Sequence, residues 1–128
     1  MNKLKNLHLL ISAAVVILIA FVYGSGNENI FSFFFDFRPS TTDMHNIFRA
    51  IMCLYLAMAA MWITGIFHPR YWTIATICNM LFMLALALGR LISFVLDGTP
   101  SPILIFGFFG EAVLALLAWR NFRMYEQE

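Results

Sequence analysis

Three ionisable side chains, Arg49, Arg90 and Glu111, stand inside otherwise apolar stretches of this 128-residue sequence. A charge near the middle of a bilayer costs at least ~2.5 kcal/mol on insertion scales, so such groups turn inward and pair with one another. Two guanidinium groups around one carboxylate would line a polar pocket able to bind an anionic or polar small molecule, or to pass a proton. Asp97, two turns beyond Arg90 on nearly the same helical face, would add a second carboxylate and make the set neutral. Asn79 falls on the same stripe as Arg90. The structural alternative is a buried ion network that fixes helix register and needs no ligand. Two further readings are a membrane-embedded enzyme using Glu111 as acid or base, and a structural subunit of a larger membrane complex.

Positioning these residues requires elements that live in a nonaqueous solvent. The composition is 62% hydrophobic and 12% charged, with a mean hydropathy of +0.81, where a soluble domain is roughly half apolar and about a quarter charged. The formal charge of +1 provides no basic face, so nucleic acid is not an expected partner. Cys53 and Cys78 lie in apolar runs, where a thiol behaves as a small hydrophobe. No CxxC occurs, and His8, His45 and His68 fall in different segments, so neither a metal site nor a cofactor is expected. There is no nucleophile elbow, phosphate loop or HExxH motif to argue an enzyme from.

Four apolar spans are expected, near residues 7–23, 46–67, 71–96 and 103–119, within one domain covering 1–128. Each approaches the ~20 residues that cross a ~30 Å hydrocarbon layer. Backbone groups cannot stay unpaired in hydrocarbon, so the spans are helices; barrel strands would alternate apolar and polar residues instead. The fold expected is an all-α, integral membrane four-helix bundle. The first span reads as a retained helix rather than a cleaved signal, whose apolar region is about 7–15 residues. His68-Pro69-Arg70 and the run Asp97-Gly98-Thr99-Pro100-Ser101-Pro102 are turns.

The outer loop, 24–45, carries Phe31, Phe33, Phe34, Phe35 and Phe37. It suits either the headgroup region or a fold across the bundle mouth. Within it, Thr42 or Asp43 is expected to cap the next helix.

Lys3, Lys5, Arg70, Arg120 and Arg123 share one side of this topology. The opposite side holds Arg38 with Glu28, Asp36, Asp43 and Asp97, so both termini are expected in the cytoplasm. Trp62, Trp72 and Trp119 would form half of an aromatic belt at the cytoplasmic boundary, with Tyr23 and the phenylalanines supplying the other half. Measured from the outer helix ends, Arg49 lies roughly 6 Å deep, Arg90 roughly 10 Å and Glu111 roughly 12 Å, which places all three in the outer half.

Periodicity aligns Asn79, Met83, Leu86, Arg90 and Ser93 on one face of the third span. On the second, Arg49, Cys53, Leu56 and Ala60 align, with Tyr55 off the stripe. On the fourth, Gly107, Gly110, Glu111 and Ala115 form a small-residue face suited to close helix approach.

The phrase Phe48-Arg49-Ala50-Ile51-Met52-Cys53-Leu54-Tyr55-Leu56-Ala57 with Trp62, the phrase Leu88-Gly89-Arg90-Leu91-Ile92-Ser93 with Asp97-Gly98 and Pro102, and Glu111 together resemble the small bacterial four-helix membrane proteins grouped as domain of unknown function 4345. The resemblance is best over 46–119. It matches the family's arginine after phenylalanine to Arg49, its Gly-Arg to Gly89 and Arg90, and its fourth-helix glutamate to Glu111. Cys53 departs from the glycine expected after the Phe-Arg-Ala phrase. The family is loosely associated with DoxX-like proteins, some linked to quinone or thiol redox chemistry, but this sequence lacks the cysteine pair or haem motif that would carry such chemistry. The resemblance implies a multi-pass protein of the bacterial cytoplasmic membrane with no settled activity.

The expected function is therefore small-molecule binding or an accessory membrane role at a pocket of Arg49, Arg90, Glu111, Asp97 and Asn79. Expected partners are the lipid bilayer, a small polar or anionic ligand, and a membrane-protein partner or second copy.

Overall fold

Apolar runs without internal breakers can satisfy every backbone group only as continuous helices, and the turns fall where proline and glycine interrupt them. A computed structural model describes residues 4–126, so Lys3 lies outside the described residues. The order is α1 (Leu7–Gly24), α2 (Glu28–Phe34), α3 (Thr42–Phe67), a 3₁₀ turn at Pro69–Tyr71, α4 (Trp72–Asp97) and α5 (Pro102–Tyr125). Four helical stretches, α1, α3, Pro69–Asp97 and α5, are long and apolar enough to cross a membrane.

α3 starts earlier than expected because Thr41, rather than Thr42 or Asp43, caps it: its hydroxyl accepts from the Met44 N–H at 3.1 Å. Asp43 instead occupies the first turn, where a carboxylate complements the helix dipole. α5 opens on Pro102, whose ring suits a first helical position, and continues through Arg120 and Arg123 to Tyr125. It runs beyond the apolar span because helix propensity does not end where hydrophobicity does.

Helices α1 with α3, and α4 with α5, pack antiparallel along their lengths, α3 meets α4 across the 3₁₀ turn, and α1 and α5 touch only sparsely. Leu9, Ala13, Val16, Ala59, Trp62, Ala75 and Met83 form the shared core. Gly65 lets α3 and α4 approach closely, since an added Cβ there would collide with Ala75. Outward faces are apolar too, with Leu18 and Phe67 both 70% exposed, Val95 78% and Phe106 80%. So much exposed apolar surface around four long helices is the signature of a lipid-facing bundle.

Two expectations about side-chain direction are corrected. The inward face of α3 is Tyr55, Ala59, Trp62 and Gly65, while Arg49, Cys53 and Ala60 are exposed. On a helix apolar all round, several stripes share the spacing of three and four, so periodicity alone does not select one. Trp62 and Trp72 do not belong to a boundary belt: they are 0% and 3% exposed, against 52% for Trp119. Trp62 packs edge-on against Phe82 and Trp72 against His8, because a large ring gains more from core burial than from an interfacial position.

The loop between α1 and α3 folds over one end of the bundle. Gly26 turns the chain at φ +65°, a conformation that glycine adopts without strain. Asn27 then caps α2 by accepting from the N–H groups of Asn29 and Ile30 at 2.9 and 3.3 Å. Phe31 is fully buried against Phe35, Phe37 and Phe48, and Tyr23 stacks on Phe35 and Phe48. Phe33 remains 81% exposed. The aromatic patch is thus a lid layer over the α1–α3 end, with one ring left facing outward.

Candidate functional site

Arg90 and Glu111 are brought together by the antiparallel packing of α4 and α5 across the turn at 98–101. The Arg90 Nε–H donates to both carboxylate oxygens of Glu111, at 3.0 Å to Oε1 and 2.8 Å to Oε2. The pair is partly buried, with 20% and 11% of the two side chains exposed, so each charge depends on the other for compensation. One turn before Glu111, Gly107 makes room: a Cβ there would stand 3.6 Å from Nε and 3.7 Å from Nη2.

The contact is not the two-pronged fork in which two parallel N–H groups meet two oxygens. A single N–H is shared, and among the described residues neither terminal amino group of Arg90 hydrogen bonds to Glu111. Arg90 lines, with Tyr23, Tyr55, Ser93, Phe94 and Pro100, a cavity of about 370 Å³ at the α2 end, while its Nη2 lies on the side of Gly107. A second cavity, of about 630 Å³, runs between α1 and α5 and is lined by Glu111, Arg90 and Tyr55 with otherwise apolar side chains. Arg90, Tyr55 and Leu86 line both.

The other residues expected at this site are elsewhere. Arg49 is exposed, and its Nη1 donates to the Gly24 carbonyl at 2.9 Å, tying α3 to the last residue of α1. A cation at a helix C-terminus satisfies a carbonyl that has no partner within the helix. Asp97 is exposed and accepts from Ser93 Oγ at 2.8 Å, one turn back on α4. Asn79 is fully buried, but it is separated from Arg90 by eleven positions, about 16 Å along the helix. Its Oδ1 and Nδ2 have no protein hydrogen bond among the described residues.

An amide buried this way costs roughly 1–3 kcal/mol on protein scales. Asn79→Leu, which keeps the volume and removes the polar atoms, is expected to stabilise the bundle by about 1–2 kcal/mol. A higher melting temperature in mild detergent would register the gain; a lower one would mean that the amide has a partner of its own.

The small-residue face of α5 also differs from expectation. Gly110 has nothing near the position of a Cβ, so it floors the α1–α5 cavity rather than seating a neighbouring helix.

A second polar cluster was not legible in the sequence, where histidines in separate segments give no signal of spacing. His8, Thr76 and Asn121 are all fully buried at the end of the bundle that carries the termini. Asn121 Nδ2 donates to the Leu4 carbonyl at 2.8 Å and lies 3.3 Å from that of Lys5, which fixes which side-chain atom is nitrogen. It also lies 3.0 Å from His8 Nδ1. Because an amide nitrogen only donates, Nδ1 is the acceptor, and Nε2–H faces Thr76 Oγ1 at 3.0 Å. Three helices, α1, α4 and α5, are thereby locked through one imidazole.

Residues 4–120 match the family described as domain of unknown function (DUF4345), nearly the whole chain. The chain belongs to the DUF4345 family. No curated protein and no solved structure matches it. Within this DUF4345 chain, the matched region contains both Arg90 and Glu111 and ends one residue before Asn121.

Proposed function

We propose that this protein is a ligand-binding membrane protein in which Arg90 receives an anionic or hydrogen-bond-accepting group. The observation that carries the reading is that Glu111 engages Arg90 through Nε alone, with the Tyr23 hydroxyl as the other polar group on the guanidinium. Glu111 holds the guanidinium in place and neutralises it for the apolar surroundings, while Arg90 also lines a cavity with Tyr23 and Ser93. A guanidinium is suited to such a role because it stays charged and can present two parallel donors to a carboxylate or phosphate.

On this reading the site lies in the outer half of a bacterial cytoplasmic membrane, with both termini inside, which the distribution of charges supports. Lys5, Arg70, Arg120 and Arg123 gather at the terminal end, where Lys5 lies over Trp72 and Arg123 over Trp119 at 4.8 and 5.8 Å. The α2 end carries Glu28, Asp36, Asp43 and Asp97. Lysine and arginine are retained on the cytoplasmic side.

The test is native mass spectrometry of protein purified from its membrane in mild detergent. Wild-type protein is expected to carry a bound molecule, Arg90→Gln to lose at least nine-tenths of the occupancy, and Asp97→Asn to keep it, as roughly a tenfold loss corresponds to about 1.4 kcal/mol. Equal occupancy in wild type and Arg90→Gln, or none in wild type, overturns the proposal.

A further inference from the structure

Resting on the reading of Arg90 as the receptor of the polar group, the geometry points to a ligand class: a single-chain amphiphile whose carboxylate or phosphate head sits on Arg90 and whose tail lies between α1 and α5. Three observations converge on it. First, Arg90, Tyr55 and Leu86 line both cavities, so a charged end held on Arg90 has the apolar lining of the larger space directly beside it for its tail. Second, that larger space opens sideways. α1 and α5 touch only sparsely, and the rims of the gap, Ile11, Val15, Phe106, Phe109 and Val113, are apolar and exposed. In a membrane-spanning bundle this opening faces lipid chains rather than water. Third, the floor is built for a slender occupant: Gly110 leaves open space, and the lining follows α5 from Ile103 to Leu117, about 21 Å along the helix.

Charge decides between an amphiphile and a second protein copy. The gap has the Arg90–Glu111 pair at its side, and an apolar helix laid over it would bring no anionic group to the guanidinium, whereas an amphiphile's head would. A head group carrying negative charge adds an acceptor for the terminal amino groups that Glu111 does not engage, and the tail replaces bilayer chains in a groove they would otherwise fill.

Two photoreactive probes test this on the full chain in phosphatidylcholine nanodiscs. One is a long-chain fatty acid with a diazirine near its end; the other is a four-carbon carboxylate bearing the same group. The long probe is expected to label peptides of α1 and α5 that line the gap, at least tenfold above Arg90→Gln. Gly110→Phe, which fills the open space, is expected to remove that labelling while leaving short-probe labelling beside Arg90 unchanged.

Long-probe labelling that persists in Gly110→Phe, or is absent from α1 and α5 while the short probe still labels, overturns the amphiphile and leaves Arg90 as a receptor of small anions. Loss of both probes in the wild type overturns both readings. Cross-links joining two copies across the α1–α5 gap in place of probe labelling also overturn the amphiphile.

Discussion

Glu111→Leu is expected to destabilise the bundle by about 3 kcal/mol, because it leaves the Arg90 guanidinium partly buried without a counter-charge. The geometry sets the size of the effect. Arg90 is 20% exposed at its side chain and hydrogen bonds to Glu111 at 2.8 and 3.0 Å, so water reaches it only in part. The reciprocal change, Arg90→Met, should cost a similar amount by stranding the carboxylate. Combining them should recover most of the loss, since replacing a buried ion pair by apolar side chains of similar volume is often neutral or stabilising. Unfolding in mixed micelles, followed by circular dichroism across the double-mutant cycle, measures this coupling. Strictly additive costs would show that the two charges do not depend on each other. The folded double variant also separates architecture from binding: it retains the bundle and loses the cationic donor that would receive an anion at the site.

The second large effect lies at the opposite end of the bundle. Asn121→Ala should cost roughly 2–4 kcal/mol, because one amide donates both to His8 Nδ1 and to the Leu4 carbonyl, and each buried acceptor deprived of its donor costs about 1–3 kcal/mol. His8 and Asn121 are fully buried, so water cannot simply replace the lost donor. The damage should not stay local, since the same imidazole bonds to Thr76 on α4. His8→Ala combined with Asn121→Ala is expected to cost at least about 1 kcal/mol less than the sum of the single changes. Thermal unfolding in mild detergent reads the cycle, and additivity would mean that the two side chains act independently.

The helical spans were legible because their signal is collective. Seventeen or more apolar residues bounded by Pro69, Gly98 or Pro102 leave the backbone few alternatives, whatever each side chain does. The meeting of Arg90 with Glu111 was legible for a related reason: isolated charges in apolar helices have few ways to be compensated, and the turn at 98–101 makes their helices neighbours. Arg49 broke the same logic because its compensation came from a backbone carbonyl, that of Gly24. No pattern of side chains records such a partner. Asp97 likewise found a local donor, Ser93, in preference to a distant cation.

Composition and the order of residues along the chain determined that this protein forms four long apolar helices and that a cation and a carboxylate lie at matching depth on the last two. They also determined where the helices break, since these are one-dimensional properties of solvent transfer and backbone geometry. Only the tertiary structure decided which face of each helix points inward, because on helices apolar on every side the choice depends on how neighbouring shapes interlock. That choice put Tyr55 and Trp62 in the core, kept α1 and α5 apart over Gly110, and joined His8 to Asn121 across more than a hundred residues.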